Sequence, residues 1–340
     1  MRSSTLPRVL VTGAGGFISP MQLHIVSERD VGLFSLIQQV IANIPWAIVE
    51  NRVPVVHFGN DTCYWTPNGH RGRRTVWEYY FEPLVPGYPA SSIPEPVRAR
   101  IAVDRPSPHE VGYLVERDAF VSNHYGDHPQ LRGAALPIPY QWDDPDDTLR
   151  REAKLVVDSF IRPRAYLLQK VHTFFARHMA GHHLIGVHAR GTDATSKQEV
   201  RPFRQGSLVL PRYVDEIERL LAVQPRAKIF VATDDQSSLD HLVRVFGPRV
   251  IAYESVRHHG GAAAGQGPTG WIMPAYIAQD RDVAAKNGED AVIEYLLLSR
   301  CHHLVHNGSS LARTVLLNAP RLPHTNTHPR SAPEPGKREP

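Results

Sequence analysis

From residue 184 onward, short apolar runs and amphipathic runs take turns along the chain, and that alternation restricts the second half to one kind of architecture. Leu184-Ile-Gly-Val-His188, Lys228-Ile-Phe-Val-Ala-Thr233 and the stretches 249–253 and 303–306 have the length and composition of strands buried on both faces. Between them, 211–223 carries Val214, Ile217, Leu220 and Leu221 at helical spacing, and 238–246, 289–300 and 309–317 also read as helices. Strands separated by helices cannot pair as hairpins, so they lie parallel. The expected fold class is α/β, with a doubly wound parallel sheet of the nucleotide-binding kind.

The first half follows another pattern. Residues 21–150 are rich in Pro, Gly, Trp and Tyr, and only a few elements stand out: Gly32-Leu-Phe-Ser35 leading into a helix-like run 36–49 that Pro45 should interrupt, and a strand at 52–58. Residues 147–179 form two amphipathic runs broken at Arg162-Pro163, a helical bridge. The expected organisation is a first lobe over 1–150, bridging helices over 151–180, a second lobe over 181–320 and a Pro-rich disordered tail over 321–340.

Composition removes several function classes. With 42% apolar and 21% charged residues the chain can bury sizeable cores. No run is long enough and apolar enough to span a bilayer, and the N-terminus lacks the basic-then-apolar order of a signal peptide, so a soluble, cytoplasmic protein is expected. The net charge of +4 is spread without a basic block, which argues against nucleic acid. Two cysteines, Cys63 and Cys301, make neither a disulfide framework nor a structural zinc site. The adjacent pairs His182-His183, His258-His259 and His302-His303 point to opposite sides of an extended chain and cannot easily share an ion, so no metal site is expected.

Three motifs compete for attention. Val9-Leu-Val-Thr-Gly13-Ala-Gly15-Gly16-Phe-Ile18 resembles the glycine loop of extended short-chain dehydrogenases, and Tyr166 with Lys170 fits their Tyr-x-x-x-Lys pair; this is the alternative reading, an NAD(P)-dependent enzyme acting on a nucleotide sugar. Ser19-Pro20 stands where the loop should open a helix, which weighs against it. Asp280-Arg-Asp282 has the oxygen-ligand spacing of a divalent-cation site, yet no apolar strand precedes it. Gly265-Gln-Gly267-Pro-Thr-Gly270 matches a dinucleotide fingerprint in letters but follows no adjacent strand.

The most specific signal is the set of strand ends. His188-Ala-Arg190-Gly-Thr-Asp193, Ala232-Thr-Asp234-Asp235 and His306-Asn-Gly-Ser309-Ser310 each put polar groups at the carboxyl end of a strand, where open parallel sheets hold their ligands. A guanidinium at Arg190 can clamp a diphosphate through two parallel hydrogen bonds, with His188 aimed to the same side. Ser309 can cap the next helix, whose free N–H groups suit a phosphate.

These three motifs, in this order and at this spacing, resemble those of the fucosyltransferase superfamily that includes core alpha-1,6-fucosyltransferases, nodulation fucosyltransferases and protein O-fucosyltransferases; the likeness covers 161–320 and, more weakly, 32–58. It implies two Rossmann-like lobes of the GT-B type, with a GDP-sugar in the second lobe and a glycan or natural-product acceptor over the first. It further implies inverting transfer with no metal and no cofactor beyond the GDP-sugar, Arg190 and His188 on the diphosphate, Asp234 and Glu294 at the nucleoside, and Ser309 and Ser310 at phosphate or ribose. Asp193 and Asp235 complete the motifs, Gly32 and Ser35 match the first-lobe glycine turn, and Glu199 is the nearest carboxylate to the family's general base. The chain departs from the pattern at Gly191, at Leu311 and at Glu294, where core enzymes have Asp. A non-catalytic GDP-sugar binder is the remaining alternative.

Overall fold

The structure is a computed structural model that describes residues 22–29, 31–104, 110–115, 118–126, 128–131, 133–138, 143–190, 209–259, 264–266, 272–274, 277 and 280–328. The first lobe comprises β1 (Leu23–Ser27), α1 (Leu33–Val49), β2 (Val53–His57), α2 (Val76–Tyr80), α3 (Glu95–Val103), β3 (Tyr113–Val115) and β4 (Ala119–Ser122). Its sheet runs β2-β1-β4-β3, with β1 parallel to both neighbours and β3 antiparallel at the edge. Two bridging helices, α4 (Asp147–Phe160) and α5 (Ala165–His178), lead to the second lobe. There β5 (Leu184–Ala189), α6 (Leu210–Val223), β6 (Lys228–Thr233), α7 (Gln236–Phe246), β7 (Val250–Ala252), the antiparallel pair β8 (Ala264–Gln266) and β9 (Ile272–Pro274), α8 (Ala284–Leu298), β10 (His303–His306), α9 (Ser310–Asn318) and β11 (His324–Asn326) follow. The main sheet, β11-β10-β5-β6-β7, is parallel throughout. The fold is therefore the expected α/β arrangement of two lobes.

Local chemistry explains most boundaries. The Asp146 carboxylate accepts the Leu149 N–H at 2.8 Å and starts α4, while Arg162-Pro163 separates α4 from α5 as the sequence requires. Pro45, expected to break α1, does not: the helix continues to Val49. A proline inside a helix costs about 3 kcal/mol, and here it is outweighed by the burial of Leu36, Ile37, Val40, Ile41 and Ile44 on one continuous face.

The expected tail needs correction at its start. Residues 321–328 belong to the fold, with Leu322 buried and β11 paired in parallel with β10. Its sequence, His-Thr-Asn, carries no apolar signal. What holds it is polar: Thr325 donates to Glu216 at 2.6 Å and lies 3.0 Å from His303 Nε2.

One apolar core passes from α1 through α4 to α9, so the lobes share an interior: Leu36, Val40, Val156, Val157, Leu311 and Val315 belong to the same buried cluster. A charged tie reinforces it. Glu289 on α8 has a fully buried side chain, and it accepts from His70 at 2.9 Å, from Arg71 at 3.1 Å and from Lys170 on α5. Arg71 also lies over the Tyr166 ring, 4.1 Å from its centroid. Next to Glu289, Gly288 leaves room for Tyr80: a Cβ there would stand 2.2 Å from the Tyr80 hydroxyl, which donates to the Ala285 carbonyl at 2.9 Å.

Burial alone would raise the Glu289 carboxyl, but hydrogen bonds from His70, Lys170 and Arg71 together outweigh it and hold the group well below its usual 4.5. A carboxylate depressed in the folded state contributes stability that is complete above its unfolded value and lost as pH falls through the folded one. Glu289→Gln should therefore cost roughly 3–5 kcal/mol near neutrality, with the difference from the parent shrinking below about pH 4.5. Urea unfolding of both proteins across pH measures this, and equal stability at pH 7 would refute it.

Candidate functional site

The carboxyl ends of β5, β6 and β10 lie side by side, because His188 registers with Ala232 on one side and His306 on the other. Above them stands the N-terminus of α1 from the first lobe. Ser35 Oγ and Ser310 Oγ are 2.7 Å apart, and the Gln38 amide donates to the Ser310 carbonyl at 2.8 Å and to Thr314 at 3.2 Å. Ser35 and Ser310 thus meet directly, Ser309 links them to His188, and Gly32 and Arg190 follow as the residues that flank α1 and β5, so the crevice at the strand ends lies at the junction of the lobes.

Each wall has a local cause. Gly308 adopts φ +73°, a left-handed conformation that glycine takes without steric cost, and turns the chain into Ser309. Ser309 caps α9, accepting the Ala312 N–H at 3.2 Å, and its Oγ lies 3.0 Å from His188 Nδ1. The first N–H groups of α9 consequently face the crevice, with the positive end of the helix dipole behind them. His188 is buried, its carbonyl accepts the Tyr213 hydroxyl at 3.0 Å, and burial, followed by the nearby Arg190 charge, lowers its pKa to about 3. It stays neutral at physiological pH. Arg190 is half-buried just past β5, and Asn307 Nδ2 donates to its carbonyl at 3.5 Å.

Gly32 offers a further clue. It caps α1 with φ −62° and ψ 153°, a conformation open to any residue. Among the described residues the nearest atom to a Cβ built there is the Tyr64 hydroxyl at 4.0 Å, so neither the backbone nor the packing of those residues demands glycine. A helix N-terminus without a neighbouring side chain among the described residues is a place where a phosphate can be held.

On the far side of β5, Asp234, Asp235 and Glu294 take different positions. Asp235 caps α7, accepting from the Ser237 and Ser238 hydroxyls at 2.6 and 2.7 Å and from Ser238 N–H at 2.9 Å. That carboxylate is occupied by its own helix. The Asp234 carbonyl accepts the His258 N–H at 2.8 Å, which lays the segment 253–258 across the end of β6. Glu294 is buried on α8 and takes the Ser255 hydroxyl at 2.5 Å, with Arg257 3.6 Å away. Burial raises its pKa to about 8 against the pull of Ser255 and Arg257, so near neutrality it can hold a proton to donate.

Ser255, Arg257, Gln38, Tyr213 and Arg313 were not singled out by the sequence. Ser255 and Arg257 lie in a segment with no periodicity, and Arg313, buried on α9 and donating to Ser310 Oγ at 3.2 Å, looks like an ordinary polar helix position. Asp193 and Glu199 lie outside the described residues, as does the glycine-rich stretch 9–18.

The competing motifs have other employment. The Tyr166 hydroxyl donates to the Tyr79 carbonyl at 2.8 Å and Lys170 pairs with Glu289, so the Tyr-x-x-x-Lys pair is built into the bridge between lobes. Asp280 accepts the Asp282 N–H at 3.0 Å in an exposed turn. Of the stretch 265–270, only Gly265 and Gln266 are among the described residues, in the strand 264–266 that pairs antiparallel with 272–274.

This is a two-lobed fold with a crevice at the ends of parallel strands, and solved structures share it. The chain is similar to the NodZ alpha-1,6-fucosyltransferase soaked with GDP-fucose, with a TM-score of 0.54, 17% identity, and 89% of this chain and 94% of that one covered. Fucosyltransferase NodZ from Bradyrhizobium gives a TM-score of 0.55 at 17% identity, covering 89% and 95%. POFUT1 in complex with GDP-fucose gives 0.50 at 9% identity, covering 91% and 98%. No family model and no curated protein sequence matches the chain. The chain has the fold of these fucosyltransferases.

Two outcomes follow from the site's construction. Ser309→Ala removes the α9 cap and should cost about 1 kcal/mol, measured by chemical denaturation; an unchanged midpoint would show that the cap contributes nothing. His188, at about 3, and His24, lowered by burial to about 4, stay neutral in the fold while their unfolded counterparts protonate near 6.5. The unfolded state then binds more protons, so stability falls as pH drops from about 6.5 toward 3. Stability that is flat between pH 7 and 4 would contradict both assignments.

Proposed function

We propose that the chain is an inverting glycosyltransferase that moves a sugar, most simply fucose, from a GDP-sugar to a hydroxyl of a glycan or small-molecule acceptor. The observation that carries this reading is the meeting of two helix N-termini, α1 capped by Gly32 and α9 capped by Ser309, through the Ser35–Ser310 contact between the lobes, with Ser309 bonded to His188 at the end of β5 and Arg190 two residues on. That the solved NodZ and POFUT1 structures of this fold were obtained with GDP-fucose supports it. In this reading the two lobes form a GT-B arrangement, with the donor on the second lobe and the acceptor over the first.

The chemistry fits these residues. As the bond from the anomeric carbon to the diphosphate breaks, negative charge gathers on the leaving GDP, and fixed donors that need no reorganisation stabilise it most. Arg190 supplies the permanent charge and the helix N-terminus supplies aligned N–H groups. Neutral His188 acts as a hydrogen-bond donor. In this reading the Ser309 hydroxyl, already accepting from Ala312, donates to His188 Nδ1, which puts the ring proton on Nε2 for the diphosphate. Glu294, its carboxyl raised by burial, and Asp234 serve the nucleoside side, with Asp235 shaping the turn beneath them. Glu199 takes the proton of the acceptor hydroxyl, and Asp193 completes the first motif. Transfer runs without a metal, because the guanidinium and helix dipole occupy the role a cation would have.

Ligand-induced thermal stabilisation tests the donor, since a molecule that binds only the folded state raises its melting temperature. GDP and GDP-fucose should shift the transition and NAD⁺ should not; a shift with NAD⁺ alone would overturn the reading. Arg190→Ala should lower turnover by a factor of 100 or more, on the order expected for losing a transition-state donor, with the fold intact and activity in the parent retained in excess EDTA. A loss in EDTA restored by Mn²⁺ would return Asp280 and Asp282 to consideration.

A further inference from the structure

Behind the crevice, three side chains from separate elements meet: Asp144 from the segment before α4, His306 at the end of β10 and His324 in β11. His306 Nε2 is 3.2 Å from His324 Nδ1 and 3.8 Å from Asp144 Oδ1, and His324 Nδ1 is 3.6 Å from Asp144 Oδ2. Donors bound to one tetrahedral ion at about 2.1 Å stand about 3.4 Å from each other. The two ring nitrogens stand at that spacing, each lies close to one oxygen of the same carboxylate, and one donor atom from each residue falls within 4.8 Å of the other two. Two imidazoles and a carboxylate suit Zn²⁺ and its neighbours in the first transition row, and not Mg²⁺ or Ca²⁺, which want oxygen alone. His306 is fully buried, whereas the side chains of Asp144 and His324 are 23% and 21% exposed, so an ion can arrive from solvent on their side. Asn326 Nδ2 donates to both oxygens of Asp144 at 3.2 Å, the kind of outer support that fixes a ligating carboxylate.

We propose that Asp144, His306 and His324 bind a divalent transition ion of the Zn²⁺ class, and that the bound ion displaces the Gly308 N–H from His306. The ion takes the lone pairs of His306 Nε2 and His324 Nδ1 and one carboxylate oxygen, with water in the fourth position. The displacement follows from counting protons. A backbone N–H can only donate, so at 3.0 Å from Gly308 N the His306 Nδ1 is an acceptor, and the neutral ring carries its proton on Nε2, toward His324. An ion on Nε2 requires that lone pair, and the ring proton moves to Nδ1, where it meets the Gly308 N–H. The turn at Gly308 must then give way. Since this turn leads directly into Ser309, occupancy opposes binding of a diphosphate in the crevice, by the same factor in both directions; this last consequence rests on the reading given under Proposed function.

The test is titration of the chelator-treated full chain with Co²⁺, whose visible bands report tetrahedral coordination, together with the Gly308 amide peak in an NMR spectrum under Zn²⁺. The parent should show the bands at one ion per chain and a displaced Gly308 peak. His324→Ala should lose both, and Asn326→Ala should keep the bands while binding Co²⁺ 10–100-fold more weakly, on the order of an outer-support loss. Saturating Zn²⁺ should weaken GDP binding at least tenfold in the parent and leave it unchanged in His324→Ala, which separates the site from chelation by the nucleotide. Absent bands, or bands undiminished in His324→Ala, would overturn the site. Bands with an unmoved Gly308 peak would overturn the displacement. The Co²⁺ bands and the Gly308 peak are read without a nucleotide, so a protein that shows both but does not bind GDP would sink the glycosyltransferase reading and leave the ion site standing, whereas GDP binding unchanged by saturating Zn²⁺ would overturn the coupling.

Discussion

A fully buried carboxylate is tolerable only when cations surround it, and Glu289 meets that demand by drawing on three parts of the chain: the first-lobe segment with His70 and Arg71, α5 through Lys170, and its own α8. The rest of the structure depends on that constraint. With α8 fixed, Asp290 one residue on accepts the Val256 N–H at 3.0 Å, and Glu294 one turn further takes Ser255. These two bonds hold the segment 253–258, whose His258 N–H in turn ties to Asp234 at the end of β6. One helix thus carries acidic groups that lock the lobes together at its start and shape the edge of the crevice near its end.

Much of the second lobe was legible in the sequence because each strand of its sheet except the outermost is covered on both faces, so its apolar character shows as a continuous run. Leu184 to Ala189 is buried at every position. The first lobe resisted because its packing relies on large aromatics in short elements: α2 spans only Val76–Tyr80, yet Trp77, Tyr79 and Tyr80 are among the largest buried side chains of the protein. Too few residues are involved for a period to emerge. Pro45 misled in the other direction, since a local rule about donors lost to a long buried face.

The candidate site divides along the same line. Its members at strand ends could be found from spacing alone, because a parallel sheet forces His188 and His306 into one row with Ala232, one residue before Thr233. Members supplied by non-local contacts could not: Ser255 reaches Glu294 and Ser35 reaches Ser310 only after folding. Asp235 illustrates the ambiguity at a strand-to-helix turn, where an acidic residue serves a ligand or its own helix and the sequence looks the same. Its four-atom capping network with Ser237 and Ser238 is what a helix start requires.

β11 has a bearing on how the protein behaves in a crowded solution. It is three residues long and polar, and it covers β10, whose Leu304 and Val305 are fully buried. A short polar border is a poor template for another chain, while an uncovered β10 would offer apolar side chains and unpaired backbone groups to any passing strand. The segment His324-Thr325-Asn326 therefore acts as a guard against aggregation, and a chain ending before it would expose an adhesive sheet edge.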